Sequence, residues 1–171
     1  MSEAVGNYVR LTRVIRAPRQ KVYDAWVDPK VRKLWWCASP EMKPGICEID
    51  ARVGGSFRVC MIEPGGKGNA AVSEFLELDP PNKLKFTWTW EGNEQFGGDT
   101  VITIELFDAM FNDEPATELL LTHERLNTPL ERSDHTWGWL GCLRSLGKLF
   151  ADQANARQKT RPGLDKYRTL T

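Results

Sequence analysis

The chain has 171 residues, 41% of them hydrophobic, the size and content of one domain with a substantial core. Lysine plus arginine equals aspartate plus glutamate at 23 each, so no global field steers it to nucleic acid or to an anionic membrane. No run approaches the ~18 apolar residues of a membrane span, and residues 1–9 lack the apolar stretch of a signal peptide, which predicts a cytoplasmic protein.

Residues 8–15 alternate as a first strand. Pro18 then opens a helix, where its missing N–H costs nothing, with Val22, Ala25 and Trp26 on the inner face. Asp28 and Pro29 repeat that grammar as N-cap and first turn of a second short helix, with Val31, Leu34 and Trp35 inward. From 46 to 125 the period becomes two. Candidate strands are 47–52, 57–62, 71–78, 84–90, 101–106 and 119–124, punctuated by Gly54-Gly55, 64–68, Asp79-Pro80-Pro81-Asn82, a polar loop at 92–99 and a loop of mixed character at 108–115. The cleanest of them places Leu84, Phe86, Trp88 and Trp90 on one face. Ser133 or Asp134 is the expected cap of a long helix reaching about Asn155. On that helix Trp139, Leu143, Leu146 and Phe150 share one face, while Gly138, Gly141 and Ser145 share a neighbouring one. Each interior glycine costs roughly 0.8–1 kcal/mol relative to alanine. Those at 138, 141 and 147 therefore predict a close backbone approach or open space beside the bulky stripe.

Meander strands joined by short turns are antiparallel and bury one face, and only the C-terminal helix is long enough to cover it. The prediction is an α+β fold in a single domain spanning 1–171, with a core at about 8–155 and a basic tail at 156–171 that reads as a solvated end.

Several short motifs stand in a fixed order: Ala17-Pro18, Asp28-Pro29 followed by Trp35-Trp36, Gly54-Gly55-Ser56-Phe57, Asp79-Pro80-Pro81 with Leu84 and Trp88, Thr122-His123, and Gly138-Trp139 with Leu143 and Leu146. In this order they resemble the START-like superfamily, which includes the Bet v 1 allergens and polyketide cyclases. The closer resemblance is to homologues of the heat-shock protein 90 ATPase activator, and it runs from about Val9 to Phe150. It implies a helix-grip fold: a curved antiparallel sheet of six to seven strands, two short helices after the first strand, and a long C-terminal helix across the sheet. The 108–115 connection and the tail after Ala151 look longer than in that family.

In the resembling family a groove between sheet and long helix holds apolar small molecules. Its walls would here be Trp36, Phe57, Met61, Phe75, Phe86, Trp88, Trp90, Trp139, Leu143 and Leu146; taken singly each reads as core, but as a set they imply a cavity, because a sheet curved round one helix leaves a gap. His123 and His135 are the candidate polar or proton-moving groups, with His135 expected at the groove mouth. Two histidines and four dispersed cysteines (Cys37, Cys47, Cys60, Cys142) lack the spacing of a metal site and read as structural groups and free thiols. Glu74 and Glu77, three apart on one candidate strand, are expected on opposite sheet faces, and Glu105 shares a face with Val101 and Thr103. No nucleophile elbow or phosphate loop is present, and no cofactor is called for.

Three functions remain open at this point. The first is a binding module for a small hydrophobic molecule. The second is a cavity-based cyclase- or hydrolase-like enzyme with a histidine or glutamate as acid/base. The third, implied by the family name, is a stress-response co-chaperone acting on a heat-shock ATPase, although this length leaves no room for the extra N-terminal domain of the full-length activators. Monomer and homodimer are both compatible with the sequence.

Overall fold

The computed structural model describes residues 6–93 and 99–160. Strand β1 (Tyr8–Ile15) leads into helices α1 (Arg19–Val27) and α2 (Pro29–Trp35). Six strands follow: β2 (Lys43–Ile49), β3 (Ser56–Ile62), β4 (Gly68–Asp79), β5 (Lys83–Trp90), β6 (Thr100–Phe111) and β7 (Glu114–Glu124). Helix α3 (Pro129–Thr160) closes the chain as described. The strands form one curled antiparallel sheet in the order β1-β7-β6-β5-β4-β3-β2, gripped on its concave face by α3: an α+β helix-grip architecture.

Period-two alternation decides which side chains face inward. Phe57, Val59 and Met61 of β3, Leu84, Phe86 and Trp88 of β5, and Ile102, Ile104 and Leu106 of β6 are all buried. From the helical side they meet Trp26 of α1, Trp35 of α2, and the α3 stripe Trp139, Leu143, Leu146 and Phe150. Asp28 caps α2 as expected, its carboxylate accepting from the Lys30 N–H at 2.9 Å.

Several expectations are corrected. Helix α3 begins at Pro129, not after Ser133 or Asp134, and continues past Asn155 to Thr160. Its start is a capping box: the Glu131 N–H donates to Thr128 Oγ1 (3.1 Å) and the Thr128 N–H donates to Glu131 Oε2 (3.0 Å). The first five residues of the tail are thus helical, whereas Arg161, Lys166 and Arg168 lie outside the described residues. The 108–115 segment is not a loop but the end of a long hairpin. Its turn is Asn112-Asp113, with φ of 49° and 62°, the left-handed pair that a type I′ turn demands. Strand β2 lies earlier than predicted, at Lys43–Ile49 rather than 47–52. A bulge between Phe75 and Glu77 shifts the β4–β5 register, pairing Phe75 with Phe86 and Glu77 with Lys85. Glu77 therefore joins Glu74 on the outer face, where it pairs with Lys83 at 3.3 Å; the predicted opposition of the two carboxylates fails because of the extra residue. On α2 Trp35 is buried as expected, but its buried companion is Arg32, while Leu34 is exposed.

The helix glycines answer to different causes. A Cβ on Gly141 would lie 1.8 Å from the Ala38 carbonyl oxygen, so the segment after α2 passes directly against α3. A Cβ on Gly138 would meet nothing within 4 Å. One glycine admits a backbone and the other leaves a space.

Candidate functional site: a tryptophan-walled cavity

The space beside Gly138 belongs to a cavity of about 580 Å³ between the sheet and the first half of α3. Trp88 and Trp90 come from β5, Met61 from β3, Trp36 and Met42 from the stretch between α2 and β2, and His135, Gly138 and Trp139 from α3. The mouth is polar, with Glu63 and Lys67 of the β3–β4 turn, Asn69, Glu91, Asn93 and Asp134. Arg58 holds Glu91 there through Nε and Nη2 at 2.7 and 3.1 Å, a charged hydrogen bond that pulls the carboxylate below its ordinary pKa. Trp137, 58% exposed, stands at the rim.

The tryptophans pack in edge-to-face and tilted contacts. Trp36–Trp88 centroids are 5.7 Å apart, Trp88–Trp90 5.5 Å and Trp88–Trp139 5.1 Å. Such offsets suit the ring quadrupole and stiffen the wall.

His135 sits in this wall and His123 directly behind it, the two imidazoles 4.7 Å apart and near perpendicular. The Trp90 indole donates to His135 Nε2 at 2.9 Å, so that nitrogen carries a lone pair. His135 Nδ1–H therefore donates to the Glu131 carbonyl at 2.7 Å, one turn back on the helix. Likewise the Trp139 indole donates to His123 Nδ1 at 3.1 Å, and His123 Nε2–H donates to Thr100 Oγ1 at 2.8 Å. The Thr100 hydroxyl in turn donates to the Trp88 carbonyl at 2.9 Å. An indole N–H is a donor only, so each contact requires a neutral imidazole. Burial pushes both histidines below their usual pKa, His123 furthest, with the neighbouring imidazole adding to the effect on His123.

Among the residues expected to form the site, Trp36, Met61, Trp88, Trp90, His135 and Trp139 line the cavity. His123 stands one layer behind, against Trp139 and His135. Phe57, Phe75, Phe86, Leu143 and Leu146 lie in the solid core: the three phenylalanines stack on one another at 5.1–6.3 Å. Met42, Asn69, Trp137 and the charged mouth residues have no counterpart in the sequence reading. Met42, Glu63, Lys67, Glu91 and Asn93 sit in turns and connections without periodicity, and Asn69, Asp134 and Trp137 sit at the ends of β4 and α3 off their apolar faces, so only the glycines of the 64–68 turn marked the place.

Among the described residues no group of three or more histidine, cysteine, aspartate or glutamate side chains could hold a metal ion, and no helix is long and apolar enough to cross a membrane.

The family model for "Activator of Hsp90 ATPase homolog 1-like protein" matches residues 16–151. Among solved structures, a protein from Chromobacterium violaceum is 27% identical with a TM-score of 0.69, over 84% of this chain and 96% of that one. The AHSA1 protein of Silicibacter pomeroyi is 19% identical with a TM-score of 0.71, over 85% and 99% of the two chains, and supports the fold alone. No curated protein matches the chain significantly. A family match over most of the sequence, on a helix-grip architecture with a cavity under α3, establishes that this chain belongs to the family of activator of Hsp90 ATPase homolog 1-like proteins.

Proposed function

We propose that the protein is a binding module for a small, mostly apolar molecule held between the sheet and α3. The observation that carries this reading is the cavity itself: about 580 Å³ with tryptophan and methionine walls, within the 300–1,000 Å³ range of small-molecule sites. Removing apolar ligand surface from water, at roughly 25 cal/mol per Å², is the driving force. Stacking on the indole faces and the polar mouth orient the ligand. The scattered free thiols suit a reducing compartment, in keeping with a cytoplasmic protein.

The enzymatic alternative needs a free acid or base facing the ligand. Both nitrogens of each imidazole are engaged, the lone pairs by indole N–H groups, so a histidine could move a proton only by breaking the wall, and the carboxylates Glu63, Glu91 and Asp134 stand at the polar mouth, Glu91 bound to Arg58, rather than among the tryptophans. That favours binding over acid/base chemistry. The co-chaperone reading rests on the family name alone and is tested by ATPase stimulation.

Native mass spectrometry of protein purified from its own host, without denaturation, tests the proposal. A retained mass should be present in the wild type and absent from Gly138→Phe, whose ring projects into the cavity while the fold persists by circular dichroism. Retention of the same mass by that variant would place the ligand elsewhere. No retained mass, together with no saturable tryptophan quenching by an apolar dye such as 1-anilinonaphthalene, would end the proposal.

A further inference from the structure

The two outer strands of the sheet, β1 and β2, meet water differently. Strand β2 is blunted: it opens with Lys43, Pro44 and Gly45, its register shifts between Pro44 and Cys47, and α2 packs on it. Those are devices by which a sheet edge refuses a further strand. Strand β1 has none of them. All eight of its residues pair with β7 without a shift, and it holds no proline, glycine or lysine. Among the described residues, nothing hydrogen-bonds to its backbone from the side away from β7 between Tyr8 and Val14.

Helix α3 packs on β1 but leaves that side open. A Cβ on Gly147 would lie 2.7 Å from Arg13 Nε, so the glycine makes room for this guanidinium. Farther along, Asn155 Oδ1 accepts from Arg16 Nη1 at 3.1 Å. Between Gly147 and Asn155 the helix advances about 12 Å. Between Arg13 and Arg16 the chain of β1 advances about 10 Å. The helix therefore runs along the strand and not out over its edge.

The sequence of β1 is complementary to itself. An added antiparallel strand must preserve the faces of the sheet, so odd residues oppose odd and even oppose even. Two registers about a two-fold axis use seven residues of each strand. One centres on Thr12. It needs Ile15, whose carbonyl already accepts the Ala17 N–H at 2.9 Å, and it sets the two Arg13 side chains diagonally together under the helices. The other centres on Leu11. There Tyr8 opposes Val14, Val9 opposes Arg13, Arg10 opposes Thr12, and Leu11 opposes its own copy. No charge directly opposes a like charge. Tyr8 and Val14, 46% and 48% exposed, cover each other twice as an aromatic–β-branched pair. The diagonal Arg10 pair lies on the solvated face, each guanidinium over its own Tyr8 ring at 5.1 Å.

We propose that β1 is a homodimer interface, at which a second copy of this chain adds its own β1 antiparallel about a two-fold axis at Leu11. Main-chain hydrogen bonds between the edges supply the attraction, and the cross-strand pairs select this partner and this register. The two seven-stranded sheets become one continuous sheet, with both cavities outside the contact.

The test is sedimentation velocity of the full chain from about 1 to 300 µM at about 0.1 M salt. The wild type should be half dimeric at or below about 100 µM, as suits a small interface. Thr12→Glu sets a carboxylate opposite Arg10 at two symmetric pairs and should lower the dissociation constant about fivefold. Thr12→Lys sets an ammonium there and should raise it about fivefold or more. Arg10→Glu combined with Thr12→Lys restores opposite charges and should return the constant to within about threefold of the wild type. Both side chains are exposed, so circular dichroism should be unchanged. A monomer throughout the range overturns the proposal. So does equal weakening by Thr12→Glu and Thr12→Lys, the result of Thr12 facing its own copy. Association indifferent to all three variants also overturns it and moves the contact to another surface, such as the hairpin tip at Met110 and Phe111. None of these outcomes bears on ligand retention in the cavity.

Discussion

The buried imidazoles couple this fold to pH, and the sign follows from their partners. Both folded-state pKa values lie below the ordinary ~6.5 because burial and the indole donors demand the neutral ring. Above pH ~7.5 neither state binds a proton there, and stability is at its plateau. As pH falls through 6.5 the unfolded chain takes up protons that the native state refuses, so stability drops by about 1.4 kcal/mol per pH unit per histidine until each folded pKa is reached. Melting curves from pH 8 to pH 5 should show that decline, and His123→Phe should flatten it. A melting point that climbs on acidification would contradict the neutral-imidazole network. Arg32 belongs to the same scale: it is 1% exposed, its Nε and Nη2 have no partner, and the rings of Trp26, Trp35, Trp36 and Phe57 surround its guanidinium at 4.3–5.4 Å. Replacing it by methionine, similar in volume and uncharged, removes a buried cation without stranding a carboxylate, so the protein should lose less than about 1 kcal/mol or gain stability. Arg32→Ala, which also empties its volume among the rings, should cost more by urea titration.

At the scale of the element, α3 was legible as a bulky stripe beside a glycine stripe, but its beginning was not. The true cap at Thr128 comes before Pro129 and Leu130, the latter exposed, and the apolar period starts a turn later. Thr128→Ala should cost about 1 kcal/mol in urea denaturation, with unchanged circular dichroism beyond the first turn. The two glycines should separate cleanly. Gly141→Ala drives a methyl into the Ala38 carbonyl and should destabilise by about 1–3 kcal/mol. Gly138→Ala meets open space and should stabilise by about 0.5–1 kcal/mol, while its methyl takes volume from the cavity and weakens ligand retention. Equal effects of the two substitutions would mean that helix propensity, and not what each glycine faces, governs them. The β6–β7 hairpin taught a similar lesson. Met110 and Phe111 looked like loop residues because no side of them is buried, yet cross-strand pairing and the left-handed turn at Asn112-Asp113 carry the ladder to its tip.

At the scale of the molecule, core and cavity share one aromatic population, and position along the sheet divides them. Leu143 and Leu146 pack solidly, so Leu143→Ala should lose about 2–5 kcal/mol without any specific change in ligand affinity. A cavity ligand at a hundred times its dissociation constant should stabilise the native state by about 2.7 kcal/mol, a shift visible in thermal melts. Fold class, the antiparallel meander, the two short helices and the covering helix could all be read from periodicity and punctuation, because these follow from which faces must leave water. Half of the expected wall residues do line the cavity, but nothing in the alternation of β5 distinguishes Phe86, which is core, from Trp88, which is wall.

The sequence by itself therefore determined the inward faces of β3, β5, β6 and α3, since burial of apolar side chains imposes the period on each element, but not that of α2, where Arg32 displaces Leu34, nor the face of Glu77 beyond the bulge. Only the tertiary structure decided what lies between those faces. The hollow beside Gly138, the neutral imidazole pair and the sealed guanidinium of Arg32 depend on distances between side chains far apart in the chain. Those distances are set by how a bulge, a close backbone pass and a curled sheet leave volume unfilled, and no local pattern records them.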